Sequence, residues 1–134
     1  WIASNRYIHD VLSPGSLIAY SEMGYAGYNN LDKKFIDVRG LTDLEIARLP
    51  ASYKGTWGVD DEQWMFPGDP LYQILKRRQP TAIIAFSHPP QMPPSVLDHY
   101  YLIWSIQDPR DSIAVIDPAL VYRPLDQILK NPPR

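Results

Sequence analysis

Each of the first three strand-like apolar runs in this sequence is followed by a polar residue that could bind or act on a ligand: Glu22, Arg39 and His88. If the runs are neighbouring parallel strands, their carboxyl ends meet at one edge of a sheet, where ligands of open α/β sheets bind. The three side chains would then bring a carboxylate, a guanidinium and a titratable imidazole to one crevice. The spacing therefore allows a ligand site at this edge.

The same three residues also have structural interpretations. Glu22 can cap a turn, Arg39 can pair with a nearby carboxylate, and His88 can lie in solvent. Structural roles are the commoner outcome, because residue types at strand ends do not by themselves fix an activity. The sequence leaves both interpretations open.

Asp37 differs from these residues because it lies inside an apolar run, 35–38. A charge in such a position needs a partner. We predict a structural hydrogen bond from Asp37 to the following loop rather than a catalytic role.

Aromatic residues form a second group of candidates. Tyr20, Tyr25 and Tyr28, together with Trp57 and Trp64, could stack on sugar rings, since their ring faces are apolar and their edges form hydrogen bonds. Packing into the core and anchoring of loops is the alternative, and the more usual, role of such residues.

The elements that would position these residues follow from the hydrophobic pattern. Helices are predicted at 5–12, 43–49 and 71–78, with a helical turn at 124–130. Strands are predicted at 16–20, 34–38, 81–86, 100–106, 113–116 and 119–122. Strands that alternate with helices indicate a small three-layer, Rossmann-like α/β sheet. The first three strands should be parallel, because right-handed crossovers join them, and the later strands should add antiparallel edges.

The clearest local signal is a helix start near residue 42. Thr42 and Glu45 have the spacing of a capping box, and Leu41 and Ile46 have the spacing of a hydrophobic staple. The helix is therefore predicted to begin at Asp43.

A second helix start is marked by Asp69 and Pro70, which predict an N-cap and a proline in the first turn. The predicted helix ends in three cations, 76–78, which favour the negative end of a helix.

Composition excludes several classes of function. The chain has 134 residues, a formal charge of -2 and no cysteine, so it offers no general attraction for nucleic acid, no disulfide framework and no thiolate chemistry. Its three histidines are scattered, and the glycines after the first strand lack the spacing of a dinucleotide fingerprint. We therefore expect no metal, no cofactor and no nucleic-acid partner.

No apolar run approaches the ~20 residues that a membrane-spanning helix needs. The sequence nevertheless starts at Trp1 and stops abruptly at Arg134. We interpret it as one α/β domain, residues 1–134, excised from a longer membrane protein.

The segment 18–47 resembles a known pattern. Its distinctive residues, in order, are Glu22, Gly24, Tyr28, Ile36, Asp37, Gly40, Leu41, Asp43, Ile46 and Ala47. This order is similar to the soluble extracytoplasmic C-terminal domain of bacterial multi-pass membrane glycosyltransferases of the GT-C type, which include mannosyltransferase-like and arabinofuranosyltransferase-like enzymes. The segments 78–84 and 121–123 resemble the later helix end, buried strand and closing strand of such domains.

The resemblance implies an accessory domain on the periplasmic face of a bacterial inner membrane, joined to the membrane-embedded portion of its parent chain. That portion would use a lipid-phosphate sugar donor and would hold the catalytic carboxylate, so this domain alone would be inactive. A glycan or a lipid-linked sugar is the implied ligand. The ligand-binding candidates are Glu22, Tyr25, Tyr28, Arg39, Trp57, Trp64 and His88, and the structural candidates are Gly24, Asp37, Gly40, Thr42, Asp43 and Glu45.

Two other functions fit the sequence. The aromatics of the long connection 51–68 suit an independent carbohydrate-binding or protein-interaction module. Glu22 and His88 suit a small stand-alone α/β enzyme.

Overall fold

The computed structural model describes residues 2–50, 68–86, 95–106 and 119–130. Within these ranges a mixed β-sheet carries helices on both faces. The strands are β1 (Leu17–Tyr20), β2 (Lys34–Asp37), β3 (Ala82–Phe86), β4 (Ser95–Val96), β5 (Tyr100–Ile106) and β6 (Ala119–Pro124). The helices are α1 (Ile2–Val11), α2 (Met23–Asn29), α3 (Leu44–Ala47), α4 (Pro70–Arg78) and α5 (Leu125–Lys130).

The strand order is β2-β1-β3-β6-β5-β4. β1 pairs in parallel with β2 on one side and with β3 on the other, which confirms the predicted parallel trio. The chain passes from β1 to β2 on one side and then crosses back to β3 on the other side of β1. The direction of winding therefore reverses between β1 and β3. Such a reversal is where open α/β sheets form a crevice at the carboxyl ends of their strands.

The remaining strands are antiparallel, as expected. β6 pairs with β3, β5 with β6, and β4 with β5. These strands make up half of the sheet, and β6 lies in its interior next to β3. The α/β fold class is confirmed.

Two separate cores cover the two faces of the sheet, because alternate residues of each strand point to opposite sides. On one face, Ala19 and Ile83 pack with Leu75 of α4. On the other face, Ile18 packs with Ile8 of α1. Helix, sheet and helix therefore form the three layers that the sequence predicted.

The predicted capping box at Thr42 is wrong. The helix begins one residue later, with Asp43 at the N-cap, and the Asp43 carboxylate accepts a hydrogen bond from the backbone N–H of Ile46 at 3.3 Å. The Thr42 hydroxyl instead donates to Oδ2 of Asp37 at 3.1 Å. Because Asp37 takes this hydroxyl, Thr42 does not serve as the cap.

Glu45 and Ile46, the predicted partners of Thr42 and Leu41, do not make the predicted contacts with them. Glu45 pairs with Arg77 of α4. The staple is absent, since Leu41 is 71% exposed while Ile46 is 1% exposed. The helix is also shorter than predicted and ends at Ala47.

α4 matches its prediction more closely. Asp69 occupies the N-cap position and Pro70 the first turn, although the Asp69 side chain makes no capping hydrogen bond. Gln79 ends the helix in the left-handed conformation, at φ 49°.

The predicted strand at 113–116 lies outside the described residues. None of the described helices has the length and apolar character that crossing a membrane requires.

Candidate functional site

A small cavity of about 200 Å³ lies where β1 leads into α2. It is therefore at the carboxyl end of the strand on which the winding reverses, the position expected for a ligand in this type of sheet. The described residues that line it are Tyr20, Glu22, Gly24, Tyr25 and Ala26.

Glu22 and Arg39 meet at this edge of the sheet. Nη2 of Arg39 lies 3.1 Å from Oε1 of Glu22, and the two side chains are only 23% and 27% exposed. Glu22 occupies the N-cap position of α2 but makes no capping hydrogen bond with its side chain. The sequence placed both residues at one crevice and also allowed Arg39 a carboxylate partner, and the structure combines the two. His88 lies outside the described residues.

Asp37 holds the loop that carries Arg39. Its buried carboxylate accepts hydrogen bonds from the backbone N–H of Arg39 at 3.0 Å, and from the N–H and hydroxyl of Thr42 at 2.8 and 3.1 Å. A buried charge is tolerated when several hydrogen bonds of this kind satisfy it. Asp37 therefore has the structural arrangement that the sequence suggested, and it positions Arg39 rather than facing the cavity lining.

Gly40 is required by the same loop. Its φ is +71°, and a Cβ built there would lie 2.9 Å from the backbone nitrogen of Ala47. The loop can therefore pack against α3 only with glycine at this position. Gly24 is not required in this way, since a Cβ there would meet no atom within 4 Å. Because glycine has no side chain, the cavity is lined by backbone at this position.

The aromatic candidates separate into two groups. Tyr25 and Tyr28 lie on α2 and are 55% and 81% exposed, so both rings are available to a ligand. Tyr20 belongs to the core, where its hydroxyl donates to Oγ of Ser4 at 3.1 Å, and its burial raises the pKa of the phenol to about 12. Trp57 and Trp64 lie outside the described residues.

Two residues at the site escaped the sequence analysis. Ala26 lines the cavity and is buried, and Ser4 accepts the hydrogen bond of Tyr20, another lining residue. The sequence predicts no helix at 23–29, so it does not place Ala26 on an inward face.

The chemistry available at the cavity is hydrogen bonding and stacking. The carboxylate of Glu22 accepts hydrogen bonds, the guanidinium of Arg39 donates them, and the ring of Tyr25 offers an apolar face. Among the described residues, no group of three or more histidine, aspartate or glutamate side chains could hold a metal ion. The arrangement suits recognition of a polyhydroxylated ligand.

Comparison with curated proteins and with solved structures returned no match. One family model, described as "Domain of unknown function (DUF8728)", matches residues 2–122. That match spans most of the sequence, and the chain belongs to this family.

Proposed function

We propose that this chain is an accessory extracytoplasmic domain of a membrane-embedded glycosyltransferase that uses a lipid-phosphate sugar donor, and that it contacts the acceptor glycan at the cavity beside β1. In this proposal its partner is the membrane-embedded portion of the parent chain, and it lies on the periplasmic face of a bacterial inner membrane. The domain supplies binding, while catalysis belongs to the membrane portion. The similarity of residues 18–47 to such domains supports the assignment.

The observation that carries the glycan contact is the combination found at the cavity. Glu22, which is half-buried and paired with Arg39, lines the cavity together with the exposed Tyr25. Sugars present hydroxyl groups around an apolar ring, so they are recognised by charged hydrogen-bonding groups next to an aromatic face.

The binding site is tested by titrating ¹⁵N-labelled domain with a panel of soluble glycans and following backbone amide shifts. The largest shifts are expected at Glu22, Tyr25 and Arg39. Arg39→Gln should weaken binding by roughly tenfold or more, because a hydrogen bond to a charged group contributes about 1.5–3 kcal/mol. Arg48→Gln is the matched control, since Arg48 is an exposed arginine just beyond α3.

Two results would contradict the proposal separately. A parent reading frame without several membrane helices would remove the glycosyltransferase assignment. Absence of any shift across the panel, or shifts confined to residues away from the cavity, would remove the glycan contact.

A further inference from the structure

The charge at the cavity restricts the ligand that it accepts. Among the described residues that line the cavity, Glu22 alone is charged, and Arg39 neutralises it at 3.1 Å. A phosphate or a carboxylate at Arg39 would be repelled by the neighbouring carboxylate of Glu22, and a cation at Glu22 would be repelled by Arg39. A hydroxyl group both donates and accepts, so it binds to both partners without separating them.

The size of the cavity restricts how much of the ligand it encloses. Its volume of about 200 Å³ is smaller than the ~300–1,000 Å³ of pockets that enclose a drug-sized molecule. One sugar ring is therefore the suitable occupant, and the rest of a longer glycan would lie outside.

Tyr28 marks where that remainder would lie. Tyr25 and Tyr28 are three positions apart on α2, so their side chains project from the same side of the helix with Cβ atoms about 5–6 Å apart. Tyr25 lines the cavity, and Tyr28 lies about one helical turn farther along α2 and is not among the described lining residues. The two exposed rings are therefore neighbours on the surface of α2, and one of them lines the cavity.

Side-chain hydrogen bonds stabilise the end of α2 and join it to α1, which holds the backbone that carries the two rings. Nδ2 of Asn29 donates to the backbone oxygen of Tyr25 at 2.8 Å, and Nδ2 of Asn30 donates to that of Ala26 at 2.9 Å. Asn30 also donates to Oδ1 of Asn5 on α1 at 2.8 Å. A surface fixed before binding loses less entropy when a ligand arrives.

We infer that the site takes a neutral oligosaccharide of at least two sugar units, with the first unit at Glu22, Arg39 and Tyr25 and the second stacked on Tyr28. This inference rests on the proposed glycan contact. It adds a second subsite and excludes charged sugars as the preferred ligand.

Calorimetric titration of the domain with a monosaccharide, disaccharide and trisaccharide of each gluco-, manno- and galacto-configured series tests the second subsite. The disaccharide should bind about three- to tenfold more tightly than the monosaccharide, as expected for one added aromatic contact. Tyr28→Ala should abolish this gain and leave the affinity for the monosaccharide unchanged, while Tyr28→Phe should keep the gain. Tyr101→Ala, at an exposed tyrosine of β5, is the matched control and should alter neither affinity.

The outcomes separate the two levels of the proposal. A gain that persists in Tyr28→Ala would overturn the second subsite, while monosaccharide binding that depends on Arg39 would leave the glycan contact standing. Tighter binding of glucuronic acid or glucose 1-phosphate than of glucose would overturn the preference for neutral sugars. Failure of every saccharide to bind would overturn both the inference and the glycan contact. Thermal unfolding of each variant verifies that the fold is intact.

Discussion

The guanidinium of Arg39 lies 3.1 Å from the carboxylate of Glu22, and the register of the sheet explains why. Tyr20 and Asp37 are directly paired in the parallel strands β1 and β2. Glu22 and Arg39 each lie two positions beyond one of these partners. Equal steps along parallel neighbours end at the same height, so the two opposite charges meet at the carboxyl edge of the sheet.

The ion pair should contribute little to stability despite its position. About a quarter of each side chain is exposed, so water still screens the pair. A double-mutant cycle with Glu22→Gln and Arg39→Gln, measured by urea unfolding, should give a coupling free energy of about 0.5–1 kcal/mol. A coupling free energy several times larger would show that the pair is part of the structural core rather than a ligand surface.

Replacement of Gly40 should be more harmful than replacement of Gly15. Both glycines have positive φ, +71° and +79°, but only Gly40 has backbone atoms where a Cβ would lie. Gly15→Ala should lower the free energy of unfolding by about 1–2 kcal/mol, the cost of the left-handed conformation. Gly40→Ala should cost about 1–3 kcal/mol more, because it adds a steric clash. Equal losses in chemical denaturation would indicate that the loop moves away from α3 without cost.

Both carboxylate oxygens of Asp37 should be needed as hydrogen-bond acceptors for the stability of the domain. Asp37→Asn keeps one acceptor but turns an NH₂ group towards a donor, so it should lower the free energy of unfolding by about 2–3 kcal/mol. Thr42→Val removes only the hydroxyl bond of 3.1 Å and should cost about 0.5–1.5 kcal/mol. The amides of Arg39 and Thr42 should also exchange faster with solvent in Asp37→Asn. An Asn variant as stable as the parent would contradict this role of Asp37.

Alkaline pH should unfold the domain through its buried tyrosines. Burial raises the pKa of Tyr20 and of Tyr122 to about 12, and it also raises the pKa of Tyr100. Between pH 10 and 12 the unfolded chain loses these phenolic protons while the folded chain retains them, so stability is complete below about pH 10 and falls as the pH rises. Each tyrosine should contribute a slope of about 1.4 kcal/mol per pH unit.

This slope is measured by urea unfolding at a series of pH values. Tyr122→Phe removes one of the titrating groups. It should reduce the slope by about 1.4 kcal/mol per pH unit, which corresponds to one proton. A slope that is unchanged by this substitution would show that Tyr122 already ionises in the folded protein.

The parallel half of the fold could be predicted because its signals are local. The runs at β1, β2 and β3 are short and apolar, and each lies next to a helix or turn signal. The element type and the parallel direction of these strands could therefore be predicted. The position of β6 beside β3 could not be predicted, since the pairing of Ile83 with Tyr122 joins residues far apart in sequence. Local patterns carry no information on such a pairing.

The site was predictable to a similar extent. The sequence placed Glu22 and Arg39 at strand ends, and adjacency of the strands brought them together. It assigned the start of α3 to Thr42 because the spacing to Glu45 fits a capping box, and it could not show that Asp37 competes for the same hydroxyl. It also grouped Tyr20 with Tyr28, although strand alternation directs one into the core and a short helix leaves the other exposed.

The interior position of β6 has a consequence for how the chain folds. β6 is the last strand of the described chain, yet it joins β3 to the β4–β5 pair. The middle of the sheet therefore cannot close until a ribosome has released residues 119–124, and before then the β4–β5 pair has no described strand that joins it to β3. Late, distant pairings of this kind slow the search for the native state, and one side of β3 stays open while residues 87–118 are synthesised.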